Sequence, residues 1–212
     1  MKENHIIINK TARFYTLGEL SDKTTHIYIV LHGWGMNAKD FLASLQPLQT
    51  GQAFYVAPEA LNRFYLKNNG GQVGATWMTK EDRLNEIKDY IQYLDDVYDL
   101  FDFDKYTHAH ITALGFSQGA STVTRWVNAG NKRIDTLVVY AGEVAPELLP
   151  LSEGSGLKAT KNIFICGTHD EFFTPPVVAE MRVKYADMNF TEYEFKGRHV
   201  IDIDVLKTAL AH

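Results

Sequence analysis

The sequence predicts an α/β domain built on a largely parallel β-sheet. Short apolar runs alternate with stretches whose apolar residues recur at helical spacing, which is the order of elements in a parallel sheet covered by helices. The central runs are continuously apolar rather than alternating, as expected of strands buried on both faces. The 212 residues suit one domain, 1–212, with no large cap domain.

The first two strand-like runs are expected to pair with each other. "HIIIN" and "ARFYTL" flank Asn9-Lys10, and a short polar break between two such runs predicts an antiparallel N-terminal hairpin. The strands of the main sheet are then predicted in six further runs: "HIYIVLHG", "AFYVAPE", "HAHITALGF", "TLVVYAG", "NIFICGT" and "FTEYEF".

Helices are predicted between and after these strands. The clearest covers 80–101, where apolar residues recur at three- and four-residue steps and form one stripe. Thr79 with Asp82 resembles a capping box at its start. The stripe is expected to pack on the sheet and to carry no function. The other predicted helices are Ala38–Leu45, Gln118–Asn128, Pro176–Tyr185 and Ile201–Ala211.

The stretch "LGFSQGAS" places Ser117 where a predicted strand ends and a predicted helix begins. Gly115 and Gly119 flank the serine, and glycines there allow a sharp turn without steric clash. In this context the pattern G-x-S-x-G predicts a nucleophilic serine, with a helix-capping serine as the alternative. The backbone N–H of Gln118 would then point to where a carbonyl oxygen gathers negative charge.

A nucleophilic serine needs a base, and the base needs a carboxylate that orients it. On this architecture the expected chain order is Ser, then Asp or Glu, then His. His199 follows the last strand and is the predicted base, because His212 ends the chain and His169 precedes the carboxylate. Asp170 follows an apolar strand at the same sheet edge and is the predicted orienting group. Its alternative role is to cap the next helix.

The second part of an oxyanion hole is expected in the loop after the first central strand. In "VLHGWGMN" two glycines let backbone N–H groups approach a ligand. The N–H of Trp34 is predicted to act as a donor together with that of Gln118. His32 in the same loop is expected to hold the loop by hydrogen bonds rather than to take part in the chemistry.

Apolar residues near these segments predict an acyl-binding groove. The long connection 60–75 is the candidate for a lid formed by a loop. The predicted substrate-binding residues are Met36, Phe64, Tyr65, Trp77, Phe172 and Phe173. Core packing is the alternative for Trp77, and exposed aromatic residues at these loop tips would instead mark a homodimer contact.

Charge and motifs argue against several classes of function. The net charge of -5 offers no basic surface for nucleic acid, and no run approaches the roughly 20 apolar residues of a membrane-spanning helix. The sequence has no P-loop, no G-x-G-x-x-G after a strand and no C-x-x-C. His108 and His110 are expected to be surface histidines, so neither a cofactor nor a metal is expected. The single cysteine, Cys166, and the absence of a secretory signal favour a cytoplasmic location.

These segments resemble the small phospholipase/carboxylesterase family of α/β-hydrolases, which includes the acyl-protein thioesterases. "LHGWGMNAKDF", "VAPEA", "GGQVGATWM" and "GFSQGA" are each similar to a segment of that family, and the resemblance covers most of the chain after the N-terminal hairpin. It implies an α/β-hydrolase fold. It also implies roles for five residues: Ser117 as nucleophile, Asp170 as orienting group, His199 as base, and Trp34 and Gln118 as oxyanion donors.

The sequence departs from the family pattern at three positions. Thr174 stands where the family usually has proline, and Arg198 stands where it commonly has the glycine before the catalytic histidine. Glu143 is an acidic insertion near the site. The expected function is hydrolysis of small acyl esters, thioesters or lysophospholipids through an acyl-enzyme. A catalytically inactive binding protein of the same fold and an acyltransferase are the alternatives.

Overall fold

A seven-stranded, mostly parallel sheet forms the centre of the molecule. The computed structural model describes residues 1–67 and 70–211, so His212 lies outside the described residues. The strands are β1 (Phe14–Leu17), β2 (His26–Leu31), β3 (Ala53–Pro58), β4 (Asn62–Tyr65), β5 (Val73–Thr76), β6 (His110–Phe116), β7 (Thr136–Tyr140), β8 (Lys161–Gly167) and β9 (Thr191–Phe195). The order in the sheet is β1-β3-β2-β6-β7-β8-β9, and β4 with β5 forms a separate two-stranded sheet.

Parallel pairing brings the carboxyl ends of the central strands to one edge. In β2, Ile29 lies opposite Val56 of β3 on one side and Ala113 of β6 on the other. All neighbouring pairs of the seven-stranded sheet are parallel except β1 with β3. Every residue of β3 and of β7 is buried, which confirms that the continuously apolar runs are central strands.

Helices cover both faces of the sheet. They are α1 (Ala38–Ser44), α2 (Arg83–Leu100), α3 (Gln118–Ala129), α4 (Pro175–Lys184) and α5 (Ile203–Leu210). One core contains Tyr90 of α2, Trp126 of α3 and Met181 of α4. The core on the opposite face contains Phe41 of α1 and Leu206 of α5. Of the helices described, none is both long and apolar enough to cross a membrane.

The predicted N-terminal hairpin is wrong. Residues 5–9 form no strand, and Ile6, Ile7 and Ile8 are exposed. The strand β1 pairs instead with β3, with Phe14 opposite Pro58. An isolated two-stranded hairpin is at best marginally stable in water. Addition of β1 to the open edge of β3 joins it to a sheet that already has two packed faces.

The start of α2 also differs from the prediction. No capping box forms, because Asp82 lies in the left-handed region with φ 46° and its side chain does not cap the helix. Glu86, in the first turn, instead accepts a hydrogen bond from the backbone N–H of Thr79 at 2.6 Å. The predicted stripe packs on the core at its later positions, whereas Leu84 in the first turn is exposed.

The predicted lid 60–75 contains a hairpin that the sequence analysis did not anticipate. Within it, Phe64 of β4 pairs with Gly74 of β5. The hairpin is fixed to the loop after β2, because the N–H of Gly35 donates to Ala75 O and the N–H of Ala75 donates to Met36 O, both at 2.9 Å. A Cβ atom on Gly74 would lie 2.2 Å from the oxygen of Gly35, so this close approach requires glycine.

Candidate active site

Ser117 occupies a strained turn between β6 and α3. Its φ of 54° and ψ of -118° are rare for a residue that has a side chain. A Cβ on Gly115 would lie 2.2 Å from the oxygen of Gly119, and a Cβ on Gly119 would lie 2.3 Å from that of Leu31. Both flanking glycines are therefore required by close backbone contacts. The N–H of Ser117 donates to Tyr140 O at 2.9 Å and ties the turn to β7.

A chain of hydrogen bonds connects Ser117, His199 and Asp170. The Nε2 atom of His199 lies 2.9 Å from Ser117 Oγ, and its Nδ1 lies 2.8 Å from Asp170 Oδ2. An ionised carboxylate can only accept hydrogen bonds, so Nδ1 carries the imidazole proton. Nε2 is then left with a lone pair that accepts the hydroxyl proton of the serine. The structure thus brings together the three residues selected from the sequence.

The carboxylate of Asp170 is fixed on both oxygens. The side chain is fully buried, and Oδ1 accepts the backbone N–H groups of Phe172 at 2.8 Å and Phe173 at 3.1 Å. These bonds satisfy the oxygen that does not face His199. The alternative role of Asp170 does not occur, because Thr174 is the cap residue of α4.

The loop between β9 and α5 positions His199. Gly197 O accepts from the N–H of His169 at 2.9 Å, and the N–H of Asp202 donates to the hydroxyl of Tyr140 at 2.7 Å. These contacts hold the loop on both sides of the histidine. Three phenylalanine rings surround the imidazole, with centroid distances of 5.0, 4.9 and 6.2 Å for Phe116, Phe172 and Phe173.

The loop after β2 lies directly against the serine. A Cβ on Gly33 would lie 3.2 Å from the Cβ of Ser117. Among residues 1–67 and 70–211, neither the backbone N–H of Trp34 nor that of Gln118 has a hydrogen-bond acceptor. Gln118 is the first residue of α3, where the helix dipole favours negative charge. Two unpaired donors next to a nucleophile are a suitable arrangement for a developing oxyanion.

The side chain of Gln118 has a role that the sequence analysis missed. Its Oε1 accepts the backbone N–H of Trp77 at 3.1 Å, and its Nε2 donates to Met78 O at 3.0 Å and to Thr76 Oγ1 at 2.9 Å. These bonds join the start of α3 to the last residue of β5 and to the segment that follows it. A polar residue directly after the nucleophile was the one available signal in the sequence.

His32 holds the loop after β2, as predicted. Its Nδ1 lies 2.8 Å from Gly33 O, and its Nε2 accepts the backbone N–H of Ala60 at 3.1 Å. The imidazole is completely buried, and this burial lowers the pKa of His32 below its ordinary value. His32 is therefore neutral, with the proton on Nδ1.

A cleft of about 770 Å³ opens beside Ser117 and His199. Of the predicted substrate-binding residues, Met36, Phe172 and Phe173 line it, as do both residues predicted to donate to the oxyanion. The sequence analysis did not include several further lining residues: Ser44, Phe116, Ser121, Val200 and Ile201.

The other three predicted substrate-binding residues lie elsewhere. Trp77 is a core residue, 1% exposed, whose Nε1 donates to His32 O at 2.9 Å. Phe64 packs its ring 5.3 Å from that of Trp34 and supports the rim from outside the cleft. Tyr65 is exposed on the hairpin, away from the lining. The hairpin packs beside the loop after β2, so these three side chains are not among the residues that line the cleft.

Other groups with possible chemistry lie apart from the cleft. Cys166 is buried, and burial raises the pKa of its thiol to about 12, so it does not supply a thiolate. His108 is exposed, and His110 contacts Thr136 Oγ1 at 2.9 Å. Within the described ranges, the one grouping of three metal-type side chains consists of exposed residues outside the cleft: Glu3, His5 and Asp82.

Solved structures share this arrangement of strands and helices. Maize (Zea mays) acyl-protein thioesterase 2 superposes with a TM-score of 0.71 at 13% identity, over 93% of this chain and 96% of the other. A carboxylesterase from Mesorhizobium loti gives a TM-score of 0.70 at 17% identity, over 94% of each chain. The chain has an α/β-hydrolase fold.

A third structure with the α/β-hydrolase fold extends the comparison. The phospholipase/carboxylesterase from Dyadobacter fermentans matches with a TM-score of 0.65 at 16% identity, over 97% of this chain and 99% of the other. No protein-family model matches the sequence, and no curated protein matches it significantly. At such identities the likeness shows the fold, whereas function has to be argued from the site.

Proposed function

We propose that the protein is a serine carboxylic-ester hydrolase of the phospholipase/carboxylesterase type. The observation that carries this proposal is the hydrogen-bond chain from Asp170 through His199 to Ser117, which ends beside an open cleft. The strained turn at Ser117 and the N–H groups of Trp34 and Gln118, which have no acceptor in the described part of the chain, add the other parts that acyl transfer needs.

In the acylation step, Ser117 Oγ attacks the carbonyl carbon of the substrate while His199 Nε2 takes the hydroxyl proton. The carbonyl oxygen becomes an oxyanion, which the N–H groups of Trp34 and Gln118 stabilise. Each such donor contributes about 3 kcal/mol to the transition state. Collapse of the intermediate breaks the bond to the leaving alcohol or thiol, which receives its proton from His199.

In the deacylation step, His199 removes a proton from a water molecule that attacks the acyl-enzyme. The second tetrahedral intermediate collapses, the free acid leaves, and Ser117 regains its proton. Asp170 stabilises the imidazolium form of His199 in both steps through the bond to Nδ1. Because Asp170 is held by two backbone N–H groups, it does not need to reorient during the cycle.

The substrates we propose are small acyl esters, thioesters or lysophospholipids. The open cleft admits an acyl carbonyl without a lid, and the superposed structures bear the names of a carboxylesterase, an acyl-protein thioesterase and a phospholipase/carboxylesterase. Neither a cofactor nor a metal has a part in this reaction. We also propose a cytoplasmic location, because the single cysteine is a buried, free thiol.

The first test is hydrolysis of p-nitrophenyl esters, from acetate to palmitate, by the wild type and by Ser117→Ala. The variant is expected to lose about 10⁴-fold or more in kcat/KM, because the nucleophile is absent. Ser152→Ala, at an exposed serine outside the cleft, is the matched control and should retain wild-type rates. A fluorophosphonate should label the wild type and Ser152→Ala but not Ser117→Ala.

Equal background rates for the wild type and Ser117→Ala on every ester, without fluorophosphonate labelling, would contradict the proposal and favour a binding protein. Transfer of the acyl group to an added alcohol in preference to water would instead identify an acyltransferase that uses the same acyl-enzyme.

A further inference from the structure

Among the described residues, the lining of the cleft beside Ser117 contains one carboxylate outside the hydrogen-bond chain and neither lysine nor arginine. Within 1–67 and 70–211, Glu143 is the only Asp, Glu, Lys or Arg that lines the cleft. Its side chain is exposed, and it makes no ion pair with any residue in 1–67 or 70–211. The carboxylate of Asp170 is buried and hydrogen-bonded on both oxygens. An unpaired negative charge next to a nucleophile influences which substrates approach it.

The backbone holds Glu143 close to the nucleophile. A Cβ on the preceding residue, Gly142, would lie 2.6 Å from Ser117 O and 2.3 Å from the Cβ of Ala120, so the chain passes directly against the turn. The hydroxyl of Ser121 donates to Glu143 O at 3.0 Å. The backbone of Glu143, which directly follows Gly142, is therefore held in a fixed position beside the turn at Ser117.

The segment after Glu143 is also fixed to α3. The N–H of Ala145 donates to Thr124 Oγ1 at 3.2 Å. Glu147 then pairs with Arg125, with Nε 2.6 Å from Oε1. Although burial alone would raise it, hydrogen bonds from Arg125 lower the pKa of Glu147 to about 2, so this pair persists at neutral pH. The backbone that carries Glu143 therefore needs little ordering when a ligand binds.

Two aromatic rings on the rim of the cleft complement the carboxylate. Trp34 is 61% exposed and Phe172 is 65% exposed, and both line the cleft. Aromatic faces attract cations, tryptophan most strongly, and a carboxylate adds a full negative charge. This combination is the chemistry that recognises an ammonium group, whereas it repels an anionic substrate.

We infer that Glu143 is a specificity-determining residue that makes the enzyme prefer esters or thioesters carrying an ammonium group. The inference rests on the proposed hydrolase function and adds the substrate class. Glu143 does not touch the reacting bond in this scheme. It binds the charged part of the substrate, with Trp34 and Phe172 against the same group.

The experiment compares isosteric pairs of substrates that differ only in charge. One pair is the acetate thioester of thiocholine and its analogue with a tert-butyl group in place of trimethylammonium. The other pair places the same replacement at the end of the acyl chain of a p-nitrophenyl butanoate. The enzymes are the wild type, Glu143→Gln, and Glu171→Gln as the matched control. Glu171 is an exposed carboxylate next to Asp170 that does not line the cleft.

In Glu143→Gln, the ratio of kcat/KM for the cationic substrate to that for its neutral isostere should fall about threefold to tenfold in at least one pair. Glu171→Gln should keep the wild-type ratios. The pair that responds identifies whether the ammonium group lies on the acyl or the leaving-group side. The difference between the wild-type ratio and the Glu143→Gln ratio should narrow at roughly 0.5 M NaCl, because salt screens exposed charges.

Unchanged ratios in both pairs for Glu143→Gln would overturn the inference, as would an equal fall in Glu171→Gln. Ser117→Ala, assayed on the neutral esters, separates this result from failure of the proposed function. If the wild type exceeds Ser117→Ala on neutral esters while the ratios stay unchanged, the hydrolase stands and only the role of Glu143 is rejected. If the wild type does not exceed Ser117→Ala, both fail.

Discussion

Two histidines at the same edge of the sheet use both ring nitrogens in hydrogen bonds, yet their surroundings differ. His32 is bonded to backbone atoms of Gly33 and Ala60 and is completely buried. His199 is bonded to the side chains of Asp170 and Ser117 and reaches the cleft.

The partners decide what each imidazole can do. The Nε2 atom of His32 accepts from a backbone N–H, which cannot give up its proton, so this ring holds a loop. The Nε2 atom of His199 faces the hydroxyl group of Ser117, which can give up its proton to the ring. An oriented carboxylate on the other nitrogen also stabilises the charge that proton transfer creates. A buried histidine with backbone partners therefore has a structural role. A histidine with side-chain partners at a cleft is suited to proton transfer.

The largest expected effect is that of His199→Ala on activity. Without the base, kcat for p-nitrophenyl acetate should fall about 10⁴-fold or more. The thermal midpoint should fall by several degrees, because the fully buried carboxylate of Asp170 loses its partner. Steady-state kinetics and thermal unfolding on the same preparation test both halves. A fall in rate below about tenfold would remove His199 from the proposed mechanism.

The second effect is that of His32→Ala on stability. The change leaves a cavity and deprives Gly33 O and the N–H of Ala60 of their partners, and we expect a loss of about 3 kcal/mol in the free energy of unfolding. This corresponds to a decrease of about 6–12 °C in thermal midpoint for a chain of this length.

The activity of His32→Ala, measured at a temperature where the variant is folded, should stay within about tenfold of the wild type. If this variant were fully folded and as inactive as His199→Ala, the contrast between the two histidines would be lost.

The smallest expected effect is the pH dependence of the stability difference between the wild type and His32→Ala. The pKa of folded His32 is lowered by burial, so below about 6.5 the unfolded chain binds a proton that the folded chain does not. Stability contributed by His32 is present above this pH and is lost as the pH falls. The advantage of the wild type over His32→Ala should therefore narrow between about pH 7 and pH 5, by at most about 1.4 kcal/mol per pH unit. Urea unfolding at several pH values measures it, and a gap that widens towards acid pH would contradict the assignment.

Local features of the sequence were sufficient for most of the sheet and for the candidate site. The apolar runs predicted the strands β2, β3 and β6–β8, since a strand buried on both faces has to be apolar throughout. The edge strand β9 was predicted from "FTEYEF", and its residues are exposed or half-buried. The position of Ser117 between a strand and a helix, with two glycines, identified the strained turn. Asp170 and His199 followed from their places after later strands, because parallel strands bring their carboxyl ends to one edge.

The failures concern contacts between distant segments. "ARFYTL" has the same local character whether it pairs with residues 5–9 or with β3, and only the assembled sheet offers the edge that it joins. The hairpin of β4 and β5 carries little apolar signal of its own and depends on backbone bonds to Gly35 and Met36.

Trp34 and Trp77 show the same division most simply. Both follow strand-like segments and both neighbour glycine or small residues in sequence, yet one indole is 61% exposed on the cleft and the other is 1% exposed in the core. The sequence alone determined the alternation of elements, the turn at Ser117 and the residue types at the sheet edge, because these depend on backbone sterics and periodicity. The tertiary structure decided which side chains face the cleft, since that depends on what the rest of the chain buries.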